Sequence, residues 1–192
     1  MYVTNRTLCK EDFLQRIEKL AIGKPDAIML REKDLSLEDY ETLAEKVLHI
    51  CKIHGVSLIV NQNVTVAKKL FIPNIHLSMQ NLRKYEGELL SFKQIGASIH
   101  SVDEAIEAEK LGATYLVAGH IYETNSKKNV SPRGITFLKE VCQSVRVPVF
   151  AIGGITKDKV NEVLQTGANG FCIMSEAMTC DHPPLLKDQF CR

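Results

Sequence analysis

Apolar residues gather in eight short runs along the chain: Met1–Asn5, Ala27–Lys33, Ser57–Asn61, Asn74–Ser78, Gln94–His100, Ala113–His120, Val147–Gly154 and Gly170–Ser175. Each has the length and composition of a strand. The stretches between them carry apolar residues at helical spacing, most clearly Ser36–His54, Ser101–Leu111, Pro132–Ser144 and Thr156–Gln165. Start signals accompany them. Ser36 precedes Glu38 and Asp39, and Ser101 with Glu104 has the form of a capping box. Gly55, Gly112 and Gly167 each stand just past a periodic run, where a helix is expected to stop.

Strands that alternate with helices pair in parallel through right-handed crossovers. Eight such units predict an α/β fold, a single compact (β/α)8 TIM barrel over residues 1–192. An open doubly wound sheet is the competing topology. The chain is short for a barrel, where ~200 residues is the usual lower bound. The units after Asn61 and Ser78 are therefore expected to be compact. Pro183-Pro184 interrupts Thr179–Arg192, so a short, irregular C-terminal tail is expected.

Composition narrows the class. With 45% hydrophobic and 24% charged residues the chain is neither a disordered polyampholyte nor a membrane protein, and no apolar run approaches the ~20 residues of a spanning helix. The N-terminus lacks the apolar stretch of a secretory signal. The six cysteines form no close pair with metal-ligand spacing, and three of them, Cys51, Cys142 and Cys172, fall inside apolar patterns. A reducing, cytoplasmic setting is the expectation. A net charge of +1 argues against a broad nucleic-acid face but leaves room for a local anion pocket. The expected partner is a small molecule, not nucleic acid or membrane, and a homodimer is the general expectation for such an enzyme.

In a barrel the chemistry sits at the C-terminal ends of the strands. Those ends read Asn5; Arg31 and Lys33; Asn61; Ser78; Ser98 and His100; His120; Gly153 and Gly154; Met174 and Ser175. The glycine pair and Met174-Ser175 follow the seventh and eighth runs, where barrels frequently bind phosphate through backbone N–H groups. His120 stands at the tip of the sixth run, where an imidazole can exchange protons near neutral pH. The long polar loop after it offers Thr124, Ser126 and Lys127 to a phosphate or carboxylate. Strand alternation would aim Arg31 and Lys33 at one face, toward an anionic substrate, and Glu32 at the other. Asn61 and Ser98 complete the candidate binding set. His76 reads as a buried, hydrogen-bonded core residue. Glu32, Glu123 and His100 have no assigned role.

The pieces Tyr2-Val3-Thr4-Asn5, Leu30-Arg31-Glu32-Lys33-Asp34, Leu58-Ile59-Val60-Asn61, Ile75-His76-Leu77, Ile95-Gly96-Ala97-Ser98-Ile99-His100, the Gly119–Lys128 loop, Ala151-Ile152-Gly153-Gly154-Ile155 and Ile173-Met174-Ser175 resemble, in order and spacing, the thiamine phosphate synthase superfamily. The resemblance covers nearly the whole chain and implies a small (β/α)8 barrel. It implies one of two activities. The synthase joins an aminopyrimidine pyrophosphate to a thiazole phosphate with magnesium, releasing pyrophosphate. The thiazole tautomerase aromatises a carboxythiazole phosphate and needs no metal.

The departures from the synthase pattern decide between them. The synthase carries Asn-Asp-Arg after strand three and an aspartate after His-Leu-Gly-Gln, and these aspartates hold magnesium. Here the stretches are Asn61-Gln62-Asn63 and His76-Leu77-Ser78-Met79-Gln80-Asn81, with amides in both places. Magnesium prefers carboxylates. The loop Gly119-His120-Ile121-Tyr122-Glu123-Thr124, then Ser126-Lys127-Lys128 and Arg133-Gly134, looks like the tautomerase branch. The resemblance thus implies a tautomerase with His120 as proton carrier, a phosphorylated thiazole as substrate and no cofactor. The alternatives are a synthase with an altered magnesium site, or a catalytically silent phosphate-ligand-binding regulator on the same scaffold.

Overall fold

The structure is a computed structural model and describes residues 1–127 and 130–190. Lys128, named above in the polar loop, and Cys191 and Arg192 of the tail lie outside the described residues. Eight strands follow one another in the sheet in chain order: β1 (Tyr2–Val3), β2 (Ala27–Leu30), β3 (Ser57–Asn61), β4 (Asn74–Ser78), β5 (Gln94–Ile99), β6 (Tyr115–Gly119), β7 (Val149–Ile152) and β8 (Gly170–Cys172). The helices between them are α1 (Phe13–Ile22), α2 (Leu37–His54), α3 (Val64–Lys69), α4 (Met79–Tyr85), α5 (Val102–Lys110), α6 (Gly134–Ser144) and α7 (Val160–Gln165), followed by α8 (Ser175–Thr179) and α9 (Leu186–Phe190). This sequential strand order is that of the (β/α)8 class and rules out the doubly wound sheet, whose order reverses at a switch point.

The chain forms two compact units, residues 1–75 with the segment from Ile173 onward, and His76–Cys172. In the first, β1, β2 and β3 pair in parallel. Ile173 bridges to β1: Val3 N–H donates to its carbonyl (2.9 Å), and its own N–H donates to the carbonyl of Met1 (3.1 Å). All four residues of β2 are buried, as expected of a parallel strand covered on both faces. Helix α1 packs on α2, with Ile17, Leu20, Tyr40, Ala44 and Val47 buried. In the second unit, β5 to β8 pair in parallel. Their buried Ala97, Ile99, Leu116, Ala118 and Ala151 form the core with Ala105, Ala108, Leu138 and Val141 of α5 and α6.

The start signals act as expected. Ser36 Oγ accepts from Asp39 N–H (3.1 Å), and Ser101 Oγ accepts from Glu104 N–H (3.1 Å). The return arm of the second cap differs from the expected box: the Glu104 carboxylate reaches past Ser101 to the N–H of His100 (2.6 Å). The tail is more ordered than expected. Pro183 and Pro184 open a 3₁₀ turn, Pro183–Leu185, that runs into α9. A proline lacks only an N–H that the first turn of a helix leaves unused, so the pair starts this segment and does not break it. Among the described residues no helix is long and apolar enough to cross a membrane.

Ser101→Ala removes the cap of α5 and leaves Glu104 N–H without its acceptor. The expected loss is about 1 kcal/mol of unfolding free energy, read by urea titration. An unchanged midpoint would show that the Glu104–His100 contact holds the helix start alone.

Candidate active site

In the first unit, β2 ends at Leu30, one residue before the candidate cations, so strand alternation does not govern them. Glu32 is the buried member of the triplet (4% exposed), Arg31 is half-buried and Lys33 is exposed. Glu32 turns inward because donors meet it there. Thr4 Oγ1 donates to its carboxylate (2.6 Å), Arg6 N–H donates to both oxygens (3.1 and 3.0 Å), and Arg6 Nη1 adds a longer contact (3.4 Å). Thr4 Oγ1 in turn accepts from Arg31 N–H (2.9 Å). One buried carboxylate thus ties the chain leaving β1 to the chain leaving β2. Arg6 also grips Asp34 through two nitrogens (2.6 and 2.7 Å), which raises its own pKa and lowers that of Asp34. Burial lowers the pKa of the Arg31 guanidinium, and the charge of Glu32 opposes that shift. A half-buried guanidinium fits an anionic ligand.

Asn61, at the end of β3, is buried; its N–H donates to Tyr40 Oη (3.3 Å) and its amide to Met29 Sδ (3.8 Å). Tyr40 donates to the carbonyl of Leu30 (2.6 Å), and burial raises its pKa. Gln62 follows with φ of +68°. Met174 is half-buried and precedes α8, and Ser175 is exposed at its first position.

In the second unit, His120 follows β6 and is 5% exposed. Its carbonyl accepts from Arg133 N–H (2.9 Å), and its Nε2 lies 3.0 Å from the carbonyl of Val130. The next carbonyl, of Ile121, accepts from Gly134 N–H (3.1 Å). The two ends of the polar loop are thereby clasped together, as in an Ω-loop. A carbonyl oxygen only accepts, so Nε2 carries the proton of the neutral ring and Nδ1 is its basic nitrogen.

Gly153 and Gly154 lie beside this histidine, with φ of +101° and +64°. A Cβ at residue 153 would sit 2.3 Å from His120 Cβ; one at residue 154 would sit 2.3 Å from the carbonyl oxygen of Glu123. Ile121 N–H donates to the carbonyl of Ile152 (2.9 Å) and Tyr122 N–H to that of Gly153 (3.0 Å). The glycine pair is therefore required by the close approach of the chain carrying His120, whatever else its N–H groups hold. Tyr122 is fixed in turn: its hydroxyl donates to Glu162 (2.6 Å), and Lys159 lies over its ring (4.4 Å) while donating to the carbonyl of Gly154 (3.3 Å).

Thr124 is half-buried, and Ser126 and Lys127 are exposed on a 3₁₀ turn, Asn125–Lys127. The loop shapes a polar recess of about 480 Å³ lined by Glu123, Thr124, Lys127 and Ser131 among others. Burial and the cations Lys127 and Arg133 lower the pKa of His100, against the pull of Glu104 at 3.5 Å. His76 is a buried, hydrogen-bonded residue as expected, and one of its partners is Ser98 (2.7 Å).

The second unit therefore brings together His120, Gly153 and Gly154, and separately Ser98 with His76. The first unit links Arg31 to Thr4 and Glu32. Thr4 and Arg6 were missed from sequence because no spacing signals a partner 26 or 28 positions away. Among the described residues no three His, Cys, Asp or Glu side chains cluster in a way that could hold a metal ion. Gln62 and Asn81 each carry a neutral amide, whereas magnesium prefers carboxylates.

Residues 1–177 match the sequence family described as thiamine monophosphate synthase. The thiamine-phosphate synthase of Clostridium acetobutylicum is 35% identical over 176 residues, covering 90% of this chain and 83% of that protein. That of Clostridium beijerinckii is 36% identical over 179 residues, with 90% and 84% covered. The structure of thiamine phosphate pyrophosphorylase from Pyrococcus furiosus superposes with a TM-score of 0.87 at 27% identity, covering 98% of this chain and 91% of that one.

Glu32→Gln keeps one acceptor oxygen and places an amide NH₂ against the Arg6 donors met by the other. It is expected to lower stability by about 1–3 kcal/mol in urea unfolding. A change within about 0.5 kcal/mol would contradict the anchoring role of the carboxylate.

Proposed function

The chain belongs to the thiamine monophosphate synthase family, and from that premise we propose that it is an enzyme of thiamine biosynthesis whose substrate is a phosphorylated thiazole. Two reactions of that substrate class are open to it. The reading best supported by its own residues is the isomerisation, in which a carboxythiazole phosphate tautomer becomes aromatic.

The observation that carries this reading is the fixed tautomer of His120. The Val130 carbonyl, 3.0 Å away, accepts a hydrogen bond from Nε2–H and leaves the lone pair on Nδ1. Nδ1 accepts a proton from a ring carbon of the substrate, and the resulting imidazolium returns a proton to the conjugated position. The histidine ends as it began, so no electron leaves or enters. Aromaticity drives the step, and the protein supplies position and a proton carrier. Arg31 and Lys33, Thr124, Ser126 and Lys127, with Asn61 and Ser98, are the groups proposed to hold phosphate and carboxylate. The backbone at Gly153, Gly154, Met174 and Ser175 is proposed to add N–H donors to the phosphate.

A second reading, the transferase, has its own support: the relatives at 35% and 36% identity are named thiamine-phosphate synthase. It requires a metal-bound pyrophosphate, for which the amides of Gln62 and Asn81 are poor ligands.

His120→Asn leaves a polar amide in place of the ring and removes the proton carrier. The expected result is a fall in the rate of aromatisation of about 10²- to 10⁴-fold with an unchanged circular-dichroism spectrum. Turnover near the wild-type rate would sink the assignment of His120.

A further inference from the structure

His76, on β4, is 1% exposed, and both of its ring nitrogens are engaged. Nδ1 lies 3.1 Å from the hydroxyl of Tyr115 on β6, and Nε2 lies 2.7 Å from Oγ of Ser98 on β5. Tyr115 is itself 5% exposed, its ring set edge-on to Phe150 at 5.9 Å. Ser98, half-buried, is the more accessible end of this line of three groups. Gly96, the register partner of Tyr115, makes room for it. A Cβ there would lie 2.1 Å from Tyr115 Cζ and 2.4 Å from His76 Nδ1.

The direction of the two hydrogen bonds is set from the buried end. Tyr115 has one hydroxyl proton, and among the described residues that hydroxyl meets only His76 Nδ1. A buried O–H without an acceptor is disfavoured, so the phenol donates and Nδ1 accepts. Burial raises the Tyr115 pKa, in keeping with a phenol that retains its proton. The neutral imidazole then carries its proton on Nε2 and donates it to Ser98 Oγ. With one of the two Oγ lone pairs taken in this way, the Ser98 proton points away from His76. The opposite polarity, in which the serine donates to the histidine as an activated nucleophile would, strands the phenol proton.

We infer that Tyr115 and His76 are positioning residues that turn the Ser98 hydroxyl proton away from the relay and toward a ligand, so that this position favours an accepting group, a phosphate or carboxylate oxygen. The identity of that ligand as a carboxythiazole phosphate rests on the function proposed above. The polarity of the relay does not.

The test has two arms on the full-length protein. In the first, long-range proton–nitrogen NMR of ¹⁵N-histidine-labelled, unliganded protein reads the tautomer of His76, assigned by the signal lost in His76→Gln. Nε2 protonated and Nδ1 bare is the expected state, with Nδ1-protonated ring appearing in Tyr115→Phe. A wild-type ring protonated on Nδ1, or a tautomer unmoved by Tyr115→Phe, would overturn the relay. In the second, calorimetry measures binding of the aromatic carboxythiazole phosphate. Ser98→Ala is expected to weaken it by on the order of 10- to 100-fold, Ser98→Thr to restore most of it, and Tyr115→Phe to weaken it by less. Unchanged affinity in Ser98→Ala would overturn the donor role. The expected tautomer without binding of this compound to the wild type would uphold the relay and overturn the functional reading.

Discussion

The backbone leaving β7 runs so close to the backbone leaving β6 that a methyl group at residue 153 would lie 2.3 Å from Cβ of His120. The arrangement of the second unit around its histidine depends on that approach. Because the Ile152 and Gly153 carbonyls accept from Ile121 and Tyr122, the first residues of the polar loop run alongside the end of β7. The loop must then return within a few residues. It does so by closing on His120 itself, through the Arg133 N–H and the Val130 carbonyl. The same contacts that fold the loop fix which imidazole nitrogen carries the proton. Packing and the placement of the imidazole proton are one arrangement here.

The first unit solves a similar problem with charge. Two chain segments leave β1 and β2 with N–H groups to satisfy, and one buried carboxylate accepts from both the Thr4 hydroxyl and the Arg6 N–H. Removing a carboxylate from water is unfavourable unless such donors surround it. Glu32 has them, and through Thr4 it ties the chain at Arg31 to the end of β1. His76 shows the same logic in neutral form, with its nitrogens occupied by groups from the two following strands.

Much of the fold was legible in the sequence, because parallel strands buried on both faces leave apolar runs that turns interrupt. The eight runs predict all eight strands, and Ser36 and Ser101 mark the starts of their helices within a residue. The helices left unnamed are the short α3, α4, α8 and α9, and α1, whose cap Asp12 follows two charged residues and gives no contrast with them. The ends of strands were less legible. β2 stops at Leu30 because Thr4 captures Arg31 N–H, a tertiary event that no alternation rule contains. His120 and the glycine pair were found from their places after strands six and seven. Thr4, Arg6 and Tyr115 were not found as participants, since each acts through a partner distant in sequence. Helix α8 ends at Thr179 and residues 180–182 are irregular, after which Pro183-Pro184 opens the turn into α9, because proline stops a helix interior but suits its first turn.

Family membership and residue chemistry bear on different levels of the function. Membership bears on the pathway, while the two amides and the imidazole of His120 bear on the proposed reaction. The most direct measurement offers the wild-type protein both substrates side by side. One sample holds the non-aromatic carboxythiazole phosphate tautomer with a metal chelator, followed by the absorbance of the aromatic ring. The other holds the aminopyrimidine pyrophosphate, thiazole phosphate and magnesium, followed by release of pyrophosphate. Aromatisation in the first with no pyrophosphate in the second is the result expected of a proton-transfer site built on His120. Magnesium-dependent pyrophosphate release without aromatisation would contradict it and return the chain to the transferase chemistry of its named relatives.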